Sequence, residues 1–169
     1  MRSSTLLALA VAAVPLLGGA RIGDPVRPAK PENALALVVN PRNPITNVGF
    51  DELRAYCRLE RLFWPSKTRT ELFLRPSDSP VGRVLLDRVY RMSHSELQKF
   101  WVAKVFRNEI PAKPAVVPNA RAAGARVREI EGAFSFVLAS EIPEGVRVVT
   151  IDGKKPGDEG YPLAGEPAP

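Results

Sequence analysis

The stretch Thr70–Arg91, TELFLRPSDSPVGRVLLDRVYR, decides how this chain is read. Leu72-Phe73-Leu74 is a short apolar run that stops at Arg75. Pro76-Ser77-Asp78 is turn chemistry, and Ser79-Pro80 opens a run with Val81, Val84, Leu85 and Val89 at helical spacing. This predicts a strand over Glu71–Leu74, a turn, and a helix from Pro80 to near Met92. The junction admits two readings. In one, Ser79 caps the helix and Pro80 takes its first position, as is common. In the other, the Arg75 cation and the hydroxyls of Ser77 and Ser79 meet an anion at the helix start, where free N–H groups and the helix dipole favour negative charge.

Working outward, Ala34–Val39 (ALALVV) reads as a buried strand, ended by the turn residues Asn40-Pro41-Arg42-Asn43-Pro44. Asn47 or Asp51 caps a helix running to Arg58, with Leu53, Tyr56 and Cys57 on one side. Phe63-Trp64-Pro65 is an aromatic patch expected to anchor the core. Ser93 and Glu96 form a capping box for a helix that buries Leu97, Phe100, Trp101, Val105 and Phe106. The prolines at 111, 114 and 118 mark an irregular crossover. A helix over Arg121–Glu131 turns Ala123, Val127 and Ile130 inward and stops at Gly132. Ala133–Leu138 and Val146–Ile151 read as strands. Strands alternating with helices predict an α/β three-layer sandwich around a small, mostly parallel sheet. Ligands of such sheets bind at the carboxyl ends of strands, which is where the Leu74–Ser79 turn falls.

Arg2, the apolar run Leu6–Leu17 and the small residues Gly18-Gly19-Ala20 predict an export signal over residues 1–20, cleaved near Ala20, and hence a periplasmic or extracellular location. Residues 21–33 read as an extended leader and 164–169 as a disordered tail, leaving one domain over 34–163. With one cysteine, Cys57, the chain forms no internal disulfide, and the thiol is expected to be buried and inert. The lone histidine, His94, sits beside a helix cap and reads as solvated rather than metal-binding. The net charge is +6, with 17 arginines and 7 lysines. These are interleaved with acids rather than gathered into a run or face, which argues against a nucleic-acid partner. No Cys/His pair, metal-spaced cluster or glycine-flanked serine is visible, so the chain is expected not to be an enzyme and to carry no cofactor.

Several segments in order resemble the substrate-binding proteins of phosphate ABC transporters, a branch of the type II periplasmic binding proteins, and above all short relatives holding about one lobe. They are Leu37-Val38-Val39-Asn40-Pro41 with Pro44, then Asp51-Glu52-Leu53, Phe63-Trp64-Pro65 and Ser79-Pro80. Tyr90-Arg91-Met92-Ser93, Leu97 and Phe100-Trp101 follow, then Gly132-Ala133-Phe134, Ile151-Asp152-Gly153 and Tyr161-Pro162-Leu163. The resemblance implies one lobe of that fold, binding phosphate or a similar oxyanion, with an ABC permease or another envelope protein as partner. It places ligand contacts on Arg75, Ser77, Ser79 and Arg83. The chain departs from the two-lobed pattern where a serine-glycine-threonine turn is expected. Pro80 has no N–H and Val81 has no hydroxyl. At Gly132–Val137, Ser135-Phe136 replaces a small-residue turn. A single lobe also leaves an anion half solvated, which weakens each charge-assisted contact. A homodimer or a docked protein would supply the missing wall. The alternative is an envelope interaction domain that keeps the fold and binds no ligand.

Overall fold

A computed structural model describes residues 33–165. The predicted signal, the leader up to residue 32 and residues 166–169 lie outside them. Six strands and four α-helices follow one another: β1 Leu35–Val39, β2 Asn47–Val48, α1 Phe50–Cys57, β3 Glu71–Leu74, α2 Pro80–Val84, α3 His94–Phe106, β4 Ala115–Val116, α4 Ala120–Glu129, β5 Ala133–Leu138 and β6 Arg147–Ile151. A π-helical segment, Leu85–Tyr90, extends α2, and Ala139–Glu141 is a single 3₁₀ turn.

The sheet order is β2-β6-β1-β5-β3-β4. β1 runs antiparallel to both neighbours, while β2 with β6, β3 with β5 and β4 with β3 are parallel. Five strands therefore share one direction, and β1 alone opposes them from the middle. The alternation along β1 and β5 divides two cores. Leu35, Leu37, Val39, Phe134 and Phe136 face α1, α2 and α3, whereas Ala36, Val38, Ala133 and Val137 face Ala123 and Val127 of α4. Both faces are covered, so β1 is buried at every position and reads as a continuous apolar run instead of an alternating one. This is the expected three-layer α/β arrangement.

Several local expectations hold atom by atom. Ser93 and Glu96 form the capping box: the Ser93 N–H donates to Glu96 Oε2 at 2.8 Å, and the Glu96 N–H donates to Ser93 Oγ at 3.3 Å. Those contacts hold the Glu96 carboxyl below its usual range. Cys57 is fully buried, and burial pushes its thiol far up.

Others are corrected. Of the aromatic patch, Trp64 is the anchor (2% exposed) and Phe63 is 57% exposed. On α3 the predicted buried pair Val105 and Phe106 faces outward, Phe106 at 87% exposure, and Lys104 lies inside instead. Lys104 is held there by Glu109 at 3.0 Å and by the Phe100 ring, 5.4 Å from its Nζ, so an ion pair and a ring outweigh the apolar pattern. Asn47 lies in β2 and caps nothing. The α1 start is capped from far along the chain: the Phe50 N–H donates to Asp152 Oδ1 at 3.0 Å. Gly132 is no left-handed helix stop. A Cβ there would stand 1.7 Å from the Arg69 carbonyl oxygen, so the residue is glycine to let two backbones touch. The end of α4 is closed by Asn40, whose amide donates to the Val127 and Arg128 carbonyls at 2.8 and 2.9 Å.

The segment after β6 is tied down through residue 164. Tyr161 and Leu163 are buried. The Tyr161 hydroxyl donates to the Leu35 carbonyl at 2.8 Å, and the Leu35 N–H donates to the Leu163 carbonyl at 3.0 Å. The Ala164 N–H bonds the Tyr161 carbonyl at 3.1 Å.

Candidate functional site

The shared direction of five strands puts their carboxyl ends, and the starts of α1, α2 and α4, along one edge of the sheet. β3 delivers Arg75 there, and β4 delivers Pro118 and Asn119. The Arg75 guanidinium reaches across: its Nη2 donates to the Pro118 carbonyl at 3.4 Å, one residue before the Asn119 cap of α4. Its Nε and Nη1 are buried with no hydrogen-bond partner among the described residues. Burial lowers the Arg75 pKa from its ordinary value, and the Glu141 carboxylate pushes it back up. A half-buried cation with two unpartnered guanidinium nitrogens is the strongest polar anomaly of this edge.

Ser79 is spent inside the turn. Its Oγ accepts from the Gly82 N–H at 3.0 Å and donates to the Pro76 carbonyl at 2.6 Å. The Arg83 N–H goes to the Ser79 carbonyl at 2.9 Å. Pro80 has no N–H, so the first-turn donor left is the N–H of Val81. The turn is packed onto the helix through Gly82, where a Cβ would stand 2.0 Å from the Pro76 oxygen. Ser79 thus caps and shapes, and its hydroxyl hydrogen is not offered to a ligand. The Ser77 hydroxyl is half-buried and makes no side-chain hydrogen bond. Arg83 is exposed and folds back so that Nη1 donates to the Asp78 carbonyl.

Of the four residues read from sequence, Arg75 and Ser77 therefore retain free donors, Ser79 is committed to the fold, and Arg83 braces the outside of the turn. Glu141 and Pro118 went unseen in the sequence because they come from β5's end and β4's end, 66 and 43 positions away from Arg75. Among the described residues no group of three or more His, Cys, Asp or Glu side chains lies together in a way that could hold a metal. None of their helices is long and apolar enough to cross a membrane.

Ser79→Ala separates capping from ligand contact. The cap is worth about 1 kcal/mol, so the melting temperature should fall by about 2–4 °C, while any anion affinity stays within about twofold. An affinity loss as large as that of Arg75→Ala, with unchanged melting, would give the hydroxyl to the ligand.

No protein-family profile matches the sequence, and no curated protein does. The fold does match solved structures. An ABC-type phosphate transport receptor from Vibrio cholerae superposes with a TM-score of 0.63 at 16% identity, covering 79% of this chain and 54% of the receptor. PstS from Borrelia burgdorferi gives 0.62 at 15%, covering 79% and 55%. A putative phosphate ABC transporter substrate-binding protein with bound phosphate from Clostridium perfringens gives 0.61 at 13%, covering 79% and 53%. The chain spans about half the length of these proteins and has the fold of one lobe of them. At such identities the likeness concerns the fold.

Proposed function

We propose that this chain is an exported oxyanion-binding module, built on one lobe of the phosphate-receptor fold, that serves an ABC permease or another envelope protein. The observation that carries the reading is Arg75, whose Nε and Nη1 are buried without a partner among the described residues at the carboxyl edge of the sheet. An anion there would take N–H groups of those two nitrogens, the Ser77 hydroxyl and the N–H of Val81. Ser79 and Arg83 would hold the turn in shape. The structural neighbours named as phosphate receptors and transporter components support the ligand class and the transporter partner. Arg2, Leu6–Leu17 and Ala20 support export.

With one lobe and no opposite wall, water screens every contact. Two or three charge-assisted bonds of about 1.5–3 kcal/mol each, less the ordering cost, correspond to a dissociation constant near about 1 mM. Titration calorimetry of the mature chain with phosphate, and separately with sulfate, should show weak saturable heat. Arg75→Ala should abolish it at unchanged melting temperature, since Arg75's one protein bond is at 3.4 Å. No heat and no thermal shift at 10 mM of either anion (a concentration about ten times the expected constant) would sink the reading. A homodimer that closed the site would instead bind about a hundredfold tighter and show a concentration-dependent molecular mass.

A second reading has its own observation. Pro80, Val81 and the spent hydroxyl of Ser79 remove three of the donors such a turn would offer. They favour an envelope interaction domain without a ligand. Recovery of one defined partner, equally well by wild type and by Arg75→Ala, together with silent calorimetry, would select it.

A further inference from the structure

We infer that the ligand of the Arg75 site is a phosphate monoester carrying an ammonium group, with its phosphoryl end on Arg75 and its ammonium on Glu141. The inference rests on the reading of Arg75 as an oxyanion site and adds the substrate class. It draws on the hollow next to that edge, of about 540 Å³, lined by Arg121, Arg128, Glu141, Pro143, Glu144 and Gly145. Small-molecule sites measure about 300–1,000 Å³.

The sheet brings Glu141 to Arg75. β3 and β5 are parallel neighbours in the register Phe73 with Ser135, so Arg75, just past the end of β3, stands level with Val137. β5 ends one residue later, and the chain turns through Ala139–Glu141 at that edge. On the other side, Arg75 Nη2 reaches the Pro118 carbonyl, three residues before Arg121 in the first turn of α4. The hollow opens between these two walls. Among the described residues Glu141 is the one charged side chain felt at the Arg75 guanidinium.

Every charge of the hollow enters the balance. Arg121 and Arg128 offset Glu141 and Glu144, so the hollow is neutral, and Arg75 leaves the whole site with one positive charge. Arg128 is held in place, its Nη1 donating to the Glu144 carbonyl at 2.7 Å. Glu141 is exposed and makes no hydrogen bond or ion pair among the described residues. Arg121 is exposed too but exerts no effect at Arg75, so a group attached to the bound phosphoryl meets Glu141 first. A bare phosphate dianion on Arg75 finds a like charge there and gains nothing from it. An ammonium group turns the same carboxylate into a partner. The phosphoryl of a monoester carries nearly two negative charges, so with one ammonium the ligand is close to one negative overall, which matches the site. A wall of donors alone would suit a bare anion. A free carboxylate beside an orphaned guanidinium suits a ligand with both signs and disfavours one with only the negative.

The test is titration calorimetry of the full mature chain with phosphoethanolamine, ethylene glycol monophosphate, glycerophosphoethanolamine and inorganic phosphate. Phosphoethanolamine should bind at least about fivefold tighter than phosphate, and than the glycol ester, which has a hydroxyl in place of the ammonium. The diester glycerophosphoethanolamine should bind more weakly than the monoester, having lost one phosphoryl charge. A diester that bound tighter would give the site to a lipid headgroup and overturn the monoester. Glu141→Gln should erase the advantage of phosphoethanolamine and leave phosphate as tight as in wild type or tighter. Its melting temperature should stay within about 1 °C, since Glu141 has no partner in the fold. Arg75→Ala should abolish binding of all four. If phosphate binds and phosphoethanolamine is no tighter, or if Glu141→Gln weakens both alike, this inference falls and the oxyanion reading stands. If none of the four gives heat, the oxyanion reading falls and takes this one with it.

Discussion

Trp64→Ala is expected to lower the unfolding free energy by about 4–6 kcal/mol, an amount comparable to the whole stability of many domains. The indole is nearly fully enclosed. Its ring lies 4.4 Å from Tyr56 and 5.3 Å from Phe134, the latter edge-on, so it joins α1 to β5 across the larger core. Truncation removes that volume, which in a core costs about 3–5 kcal/mol. It also removes the bond from Trp64 Nε1 to the Gly132 carbonyl at 2.9 Å. That carbonyl keeps its other donor, the Glu71 N–H at 3.1 Å, so the second loss is limited to about 1 kcal/mol. Urea titration followed by circular dichroism measures the sum. Trp64→Phe, which restores a ring without the N–H, should recover more than half of the loss. A midpoint shift equivalent to less than about 2 kcal/mol for Trp64→Ala would mean that the ring does not hold these layers together.

Gly82→Ala should disrupt the turn at the candidate site while leaving the sheet in place. The added methyl would lie 2.0 Å from the Pro76 oxygen and 2.7 Å from Ser77 Cα, both of them backbone that cannot rotate away. The turn has to lift off the helix. Overpacking of this sort costs about 1–3 kcal/mol, and the displaced Ser79 cap adds about 1 more. The expected result is a drop of roughly 4–16 °C in melting temperature with retained secondary structure. Phosphate heat, where wild type shows it, should vanish as in Arg75→Ala, since lifting the turn displaces Ser77 and Val81, the other donors of the proposed site. Unchanged stability would mean that the turn accommodates the methyl and that Gly82 is not what seats it. Ser79→Ala is the milder control on the same turn.

The elements that sequence reading recovers share one property: their cause is local. β3 and β5 are bounded by Arg75 and by Gly132 and match the structure to the residue. The cap at Ser79 and the capping box at Ser93 are short-range contacts of three residues, visible as patterns. The two short strands β2 and β4 were not legible, because two residues carry no periodicity. They exist only because Ile151 and Leu74 offer edges to pair with. The direction of β1 was hidden for a related reason. A run buried on both faces looks the same whichever way it points, and only its partners decide.

The amphipathic face of α3 misled in a different way. Its periodicity suggested Val105 and Phe106 inside, yet the helix is rotated so that Lys104 enters with Glu109 as counter-ion. An ion pair from the helix to the turn that follows it is invisible to a count of apolar positions.

At the candidate site the chain's order alone established an arginine, two serines and a proline between a strand and a helix, and that Pro80 cannot donate. Those are covalent facts. Which donors are free is a matter of packing. Ser79's hydroxyl is consumed because Pro76 and Gly82 are brought against it, and Arg75's Nε and Nη1 are left without a partner while its Nη2 reaches the Pro118 carbonyl. Asp152 capping α1 and Asn40 capping α4 belong to the same class, joining residues 102 and 87 positions apart. Local chemistry writes the elements and their ends. The burial of polar groups, which turns a residue from a cap into a ligand donor or back, is set only when distant strands close around it.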